Sequence, residues 1–199
     1  YLALAKAGLA LLQGEIDLAE RLLMEVLPDI GARNSPLELG LWSLQRGRLA
    51  LIKGEAHAAI AHLSSAERSF VETGRDLETM WARVWLLAAL SSAGDAGVAE
   101  RLNVLTNIRG LISHALSVTF RQARPWLGRL KSDPNLGRVA GRLFRQADQF
   151  EVRLPGLRRS LRRLPQAVTL SAPRLIVQSL GWTKVTVNGR LVEWPTQSV

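Results

Sequence analysis

The chain has 199 residues, 47 % of them hydrophobic and 22 % charged, with a net charge of +9 and no cysteine. That balance excludes wholesale disorder and collagen-like repetition. The absence of cysteine excludes a disulfide framework, a thiolate metal site and a cysteine nucleophile. The longest apolar run, Val84 to Leu90, is far too short to span a bilayer, and no signal peptide is legible. A cytoplasmic protein of one or two domains, without a membrane partner, is therefore expected.

The chain opens on Tyr1-Leu2-Ala3-Leu4-Ala5, which lacks an initiator methionine and reads like the interior of a helix. A piece of a longer protein is expected. Tyr1, Leu2 and Leu4 would then form an uncapped apolar edge able to pair with a neighbouring copy without biological meaning; a homo-oligomer is a separate expectation that this edge does not support.

A repeat dominates the first half. Gly14, Gly54 and Gly94 fall at a strict period of 40, and Ala19, Ala59 and Ala99 follow in phase. Ala7, Gly47 and Leu87 precede them, as do Ala10, Ala50 and Leu90; Leu23 and Leu63 share a phase that Asn103 breaks. Each unit reads as two helices around a tight turn. In the second unit Leu39, Leu41, Trp42, Leu44, Leu49 and Ile52 make one apolar stripe, and Ala59, Ile60, Leu63, Ala66 and Phe70 make the other. Gly54 between them suits a left-handed corner. Gly47 and Ala50, facing Ala59 and Ala66, would let the two helix axes come close. A fourth, degenerate unit is expected as helix 113–131, turn 132–135 and helix 136–150, with Pro125 kinking or dividing its first helix.

This pattern of small residues and corner glycines resembles the tetratricopeptide repeat, in a variant longer than the usual unit of about 34 residues. The length is similar to that in large bacterial transcription regulators of the maltose-activator type. The resemblance implies an α-α superhelix whose inner groove is lined by first helices. Trp42, Trp81 and Trp85 sit on first helices, and Trp81 and Trp85 are four apart, hence on one face. They read either as packing between units or as a groove for a protein partner or small effector, with Arg46 or Arg83 as polar anchors.

Charge divides the chain. Residues 1–110 carry a net −2 and residues 111–199 a net +11. The densest cluster is Arg153, Arg158, Arg159, Arg162 and Arg163, shortly after Arg138, Arg142 and Arg145. Such a cluster suits phosphate contact through counterion release, or a solubilising linker. Aromatic residues are sparse nearby, which speaks against a stacking platform for single strands.

Beyond Leu164 the pattern changes to β-formers. Leu175–Leu180 reads as a strand, and Asn188-Gly189 between two alternating runs is a strong two-residue hairpin signal. It places Val187 opposite Arg190 and Val185 opposite Val192, with Val185, Val187, Val192 and Trp194 on one face. A lone hairpin is marginal in water. This stretch is similar to the opening of the winged-helix domain of the antibiotic-regulatory class of bacterial activators. The matching residues are Leu175-Ile176-Val177, Leu180-Gly181, Val185-Thr186-Val187, Asn188-Gly189-Arg190, Val192 and Trp194. The resemblance implies DNA contact through helices that would follow Val199, not through residues 1–199.

Catalytic machinery is not legible. His57 and His62 are five apart, His114 is remote, and no carboxylate pair completes a metal set. No phosphate-binding glycine loop and no nucleophile elbow occur. We therefore expect no enzyme, no cofactor and no metal. The expected fold is mainly α: a tetratricopeptide-like array over 1–150, a basic linker over 151–173, and a short antiparallel β segment over 174–199 that starts a winged helix. The expected role is the regulatory, protein-interaction region of a bacterial transcriptional regulator. The other reading is a free-standing tetratricopeptide adaptor, and a third is a general nucleic-acid binder.

Overall fold

A computed structural model describes residues 2–107, 112–163, 175–178, 184–187 and 190–191. The chain divides into two units, Tyr1–Glu151 and Val152–Val199.

The first unit is helical. Its elements are α1 (Leu2–Gln13), α2 (Ile16–Arg33), α3 (Pro36–Ile52), α4 (Ala56–Glu72), α5 (Asp76–Ala93), α6 (Val98–Thr106), α7 (Ile112–Gln122), α8 (Arg124–Leu127), a 3-10 turn (Gly128–Lys131) and the part of α9 (Gly137–Arg163) up to Glu151. The expected long helix is divided into α7 and α8, and Pro125 stands in the first turn of α8, where its missing N–H has no intrahelical partner to lose. The 151–163 part of the expected basic linker is helical, as α9 continues to Arg163 through Pro155.

The corners explain the period. Gly14, Gly54 and Gly94 have φ of 78°, 83° and 70°. Each is followed by a residue whose N–H bonds the carbonyl five back: Glu15 to Ala10 at 2.9 Å, Glu55 to Ala50 at 2.9 Å and Asp95 to Leu90 at 3.0 Å. This is the Schellman closure of a helix end. Two more left-handed corners lie midway, Asn34 at φ 45° and Gly74 at φ 65°. The left-handed positions 14, 34, 54, 74 and 94 thus recur every 20 residues, one after each of α1 to α5. Asn34 hides the half-period in the sequence, since asparagine is the other residue that tolerates this conformation. Next to it, Ser35 caps α3 by accepting from the Glu38 N–H at 3.4 Å, with Pro36 at the first turn.

Close approach of α3 and α4 is imposed by small residues. A Cβ on Gly47 would lie 2.4 Å from Leu63 Cγ, and one on Gly40 2.7 Å from Phe70 Cε1. Ala59, Leu63, Ala66 and Phe70 are all fully buried there. Two clusters fill the unit. One joins Leu4, Ala7, Leu11, Leu23 and Ile30 of α1 and α2 to Leu49; the other runs from Leu44 through α4 and α5 to Phe120 and Phe144. Leu4, expected on an exposed edge, is buried in the first cluster, whereas Leu2 is 70 % exposed. Tyr1 lies outside the described residues.

The third repeat departs from the phase. Asp95 Oδ1 accepts from the Gly97 N–H at 2.7 Å. This local turn delays α6 to Val98, whereas α2 and α4 restart two residues after their glycines. Ala99 is consequently exposed, unlike Ala19 and Ala59, and Val98 and Leu102 take the buried positions.

In the second unit the described residues form an antiparallel ladder in the order β1 (Leu175–Gln178), β2 (Lys184–Val187), β3 (Arg190–Leu191). Leu175 pairs with Val187 and Gln178 with Lys184; Val187 pairs with Arg190 and Thr186 with Leu191. The Asn188-Gly189 turn, Val192, Trp182 and Trp194 lie outside the described residues.

Candidate functional site

The first helices of successive units meet around one groove. A cavity of about 530 Å³ is lined from α1 by Ala5, Gly8, Leu9 and Leu12, and from α3 by Leu44, Gln45 and Arg48. Trp81 and Trp85 of α5 and Ala115, Val118, Thr119 and Gln122 of α7 complete it. The repeat builds this lining directly. Ala5, Gln45 and Trp85 are 40 residues apart, and so are Gly8 and Arg48. The same face of each first helix therefore points into the same space. Gly8 admits the Gln45 amide: a Cβ there would sit 3.2 Å from Gln45 Nε2.

Arg48 is the unusual member. It is 8 % exposed, and among the described residues no carboxylate pairs with it. Its guanidinium lies 4.8 Å from the Trp85 ring centroid, and Nη1 donates to Gln45 Oε1 at 2.8 Å. Its Nε is buried without a partner. Burial pulls its pKa down to about 10, because desolvation disfavours the charged form. Arginine nevertheless stays protonated at neutral pH. The groove thus holds a cation stabilised only by an aromatic face and one amide.

The aromatic side of the groove is braced from behind. Trp126 of α8 meets Trp85 edge-on at 5.7 Å, and its carbonyl accepts from Ser91 Oγ at 3.2 Å. The ring edge of one indole against the face of another is the favoured arrangement. At the mouth, Leu9, Leu12 and Val118 are 54 %, 56 % and 43 % exposed.

Of the residues expected in a groove, Trp81 and Trp85 line it, and Trp42, Arg46 and Arg83 do not. Trp42 belongs to the α2–α3–α4 junction: its Nε1 donates to the Leu23 carbonyl at 2.8 Å, and its ring meets His62 edge-on at 5.8 Å. Arg46 faces Glu20, 3.7 Å away, which Lys53 also engages at 2.6 Å. Arg83 bonds Glu67 at 2.8 Å, a carboxylate shared with Arg101 at 2.6 Å. These ion pairs tie second helices to the units that follow. The charged side chain in the cavity wall is Arg48, which sequence reasoning did not single out. The available signal was its place four residues after Leu44, on the face that Gln45 shares.

His57 and His114 are exposed, the latter stacked on Phe150 at 4.9 Å. His62 is half-buried, and burial, with the nearby Arg46 charge, lowers its pKa. Among the described residues no group of three potential ligands could hold a metal, and no helix is long and apolar enough to cross a membrane.

On the basic side, Arg138, Arg142, Arg145, Arg153 and Arg159 of α9 are exposed. Among the described residues none of the five has an ion-pair partner, so their charge faces water. The side chains of Arg158, Arg162 and Arg163 lie outside the described residues. Gly137 packs tightly, since a Cβ there would lie 2.6 Å from the Lys131 carbonyl, whereas Gly141 meets nothing closer than the Arg145 side chain at 3.7 Å. Close packing thus accounts for Gly137 alone.

A second cavity, of about 370 Å³, lies between the Gly94 corner and the 129–136 segment. Its carboxylates are engaged by backbone: Asp95 holds the Gly97 N–H, and Asp133 holds the N–H groups of Asn135 and Leu136 at 2.8 and 2.9 Å. The groove around Arg48 is the better candidate. No family model, no curated protein and no solved structure matches the chain.

Proposed function

We propose that residues 1–150 form a tetratricopeptide-like superhelical array, and that it is the regulatory, protein-interaction region of a bacterial transcriptional regulator acting in the cytoplasm. In this reading the groove takes an effector or partner, and binding biases a DNA-binding domain to which the strands at 175–191 belong. The single observation that carries it is the placement of Ala5, Gln45 and Trp85, three residues at one phase of the repeat, along one cavity. A face repeated in register and left open to solvent suits a binding groove better than a packing seam. The antiparallel order of β1, β2 and β3 supports the link to a winged-helix sheet. The unpaired arginines of α9 would add sequence-independent phosphate contact.

A ligand acts in such a device only by binding one arrangement of the helices better than another. The test combines sequence and reporter. The reading frame continuing beyond Val199 should encode a helix-turn-helix. In the full-length regulator, Val118→Glu at the groove mouth should change transcription from its own promoter while leaving the protein folded. A reading frame without DNA-reading helices would leave the adaptor alternative. A promoter response indifferent to the groove would remove the regulatory role from it.

A further inference from the structure

We infer that the groove between α1, α3, α5 and α7 binds a small organic monocarboxylate with an apolar body, its carboxylate on Arg48 and its body along Leu9, Leu44, Trp81 and Trp85. The inference rests on the proposal that this groove is a binding site, and it specifies the chemistry of the occupant.

The lining dictates that chemistry. The cavity, at about 530 Å³, has the size that encloses one small organic molecule. Most of its wall is apolar: Ala5, Leu9, Leu12, Leu44, Trp81, Trp85, Ala115 and Val118 against Gln45, Arg48, Thr119 and Gln122. Thr119 spends its hydroxyl proton on the Ala115 carbonyl at 2.9 Å. Gln45 offers its carbonyl oxygen to Arg48. The fixed charge is therefore the guanidinium, held by Gln45 and the Trp85 face, with Nε unbonded. A planar fork of donors without a carboxylate is matched by a bidentate carboxylate. An apolar alcohol would leave the charge uncompensated, and an organic cation would be repelled. A polyacidic peptide would bring further charges against the leucine and tryptophan walls. One acid group on an apolar body satisfies both parts of the lining.

The experiment uses the 199-residue chain with decanoate as probe, decanol as its neutral counterpart and decyltrimethylammonium as its cationic one. Binding is followed by isothermal titration and by tryptophan fluorescence. Decanoate is expected to bind one per chain, at least tenfold more tightly than decanol, with no binding of the ammonium. Arg48→Met should weaken decanoate tenfold or more and leave decanol unchanged. Val118→Glu, at an exposed position, should weaken decanoate through like charge and gives a second readout that leaves Arg48 in place. Equal affinity for decanoate and decanol, or no effect of either substitution, would overturn the carboxylate assignment while leaving the groove as a site. An acidic peptide that binds where decanoate does not would overturn the small-molecule assignment in favour of a protein partner. No binding by any probe, together with unchanged reporter output in Val118→Glu, would remove the site itself.

Discussion

Gly47→Ala measures how tightly the helical pairs close. The added Cβ would lie 2.4 Å from Leu63 Cγ, 2.8 Å from its Cδ2 and 3.3 Å from the Ala59 carbonyl oxygen. Leu63 is fully buried, so it has no room to swing aside, and the carbonyl belongs to a helix backbone. Two effects compete. Alanine gains about 1 kcal/mol over glycine inside a helix. Forcing a methyl group into a packed interface costs about 1–3 kcal/mol. With contacts this short the upper part of that range applies, and a net loss of about 1–2 kcal/mol is expected. Gly31→Ala is the matched control. It too lies inside a helix, α2, and a Cβ there meets nothing within 4 Å. It should stabilise by about 0.5–1 kcal/mol. Urea titration followed by far-ultraviolet circular dichroism gives both values. If Gly47→Ala were as stabilising as Gly31→Ala, the close approach of α3 and α4 would be wrong.

Three further outcomes follow from the corners, the buried cation and the half-buried imidazole. Gly54→Ala should cost about 1–2 kcal/mol, because φ of 83° strains any Cβ although the space is open; Gly54→Asn should cost less, as Asn34 already occupies an equivalent corner. Arg48→Met should raise the stability of the ligand-free chain at pH 7 by about 1–3 kcal/mol, since an apolar side chain of similar length avoids burying an uncompensated charge; a lower melting temperature would show that Trp85 and Gln45 compensate it fully. His62 has a pKa below its unfolded value, so the unfolded chain binds its proton first, and stability should fall as pH drops through about 6.5 and level off below the folded pKa. His62→Gln should flatten that part of a pH-resolved melting series, and an unchanged slope would assign it to other groups.

Much of the array was legible because its causes are local. A left-handed corner demands glycine, so Gly14, Gly54 and Gly94 announce themselves. Close packing demands small residues, so Gly47 and Ala59 could be paired from the sequence alone. Pro125 was expected to kink or divide a helix, and it sits where α7 has ended and α8 begins. What stayed hidden depends on context. Asn34 performs a glycine's task and so masks the 20-residue spacing. The side chain of Asp95 captures the Gly97 amide and moves α6 out of phase, which exposes Ala99 although its sequence position matches. Pro28 and Pro155 sit inside helices that continue through them; around Pro28 the buried Val26 and Ile30 hold α2 in place.

The groove divides the same way. Trp81 and Trp85 share a face by spacing, and both line the cavity. Arg46 and Arg83 were plausible anchors on charge alone, but charge does not reveal a partner, and Glu20 and Glu67 claim them. Arg48 was passed over because charged residues are almost never fully buried without a partner. That improbability is what makes it informative once its surroundings are known.

The most direct test of the account is a distance. Leu9 of α1 and Val118 of α7 stand far apart in the chain yet line one cavity, both at exposed positions. The protein has no cysteine, so Leu9→Cys and Val118→Cys would carry the sole pair of nitroxide labels for pulsed dipolar spectroscopy. A groove closed by first helices predicts one narrow distance below roughly 25 Å, as expected for residues facing a cavity of small-molecule size. A broad distribution, or a distance well beyond that range, would contradict the groove and with it the function built on it.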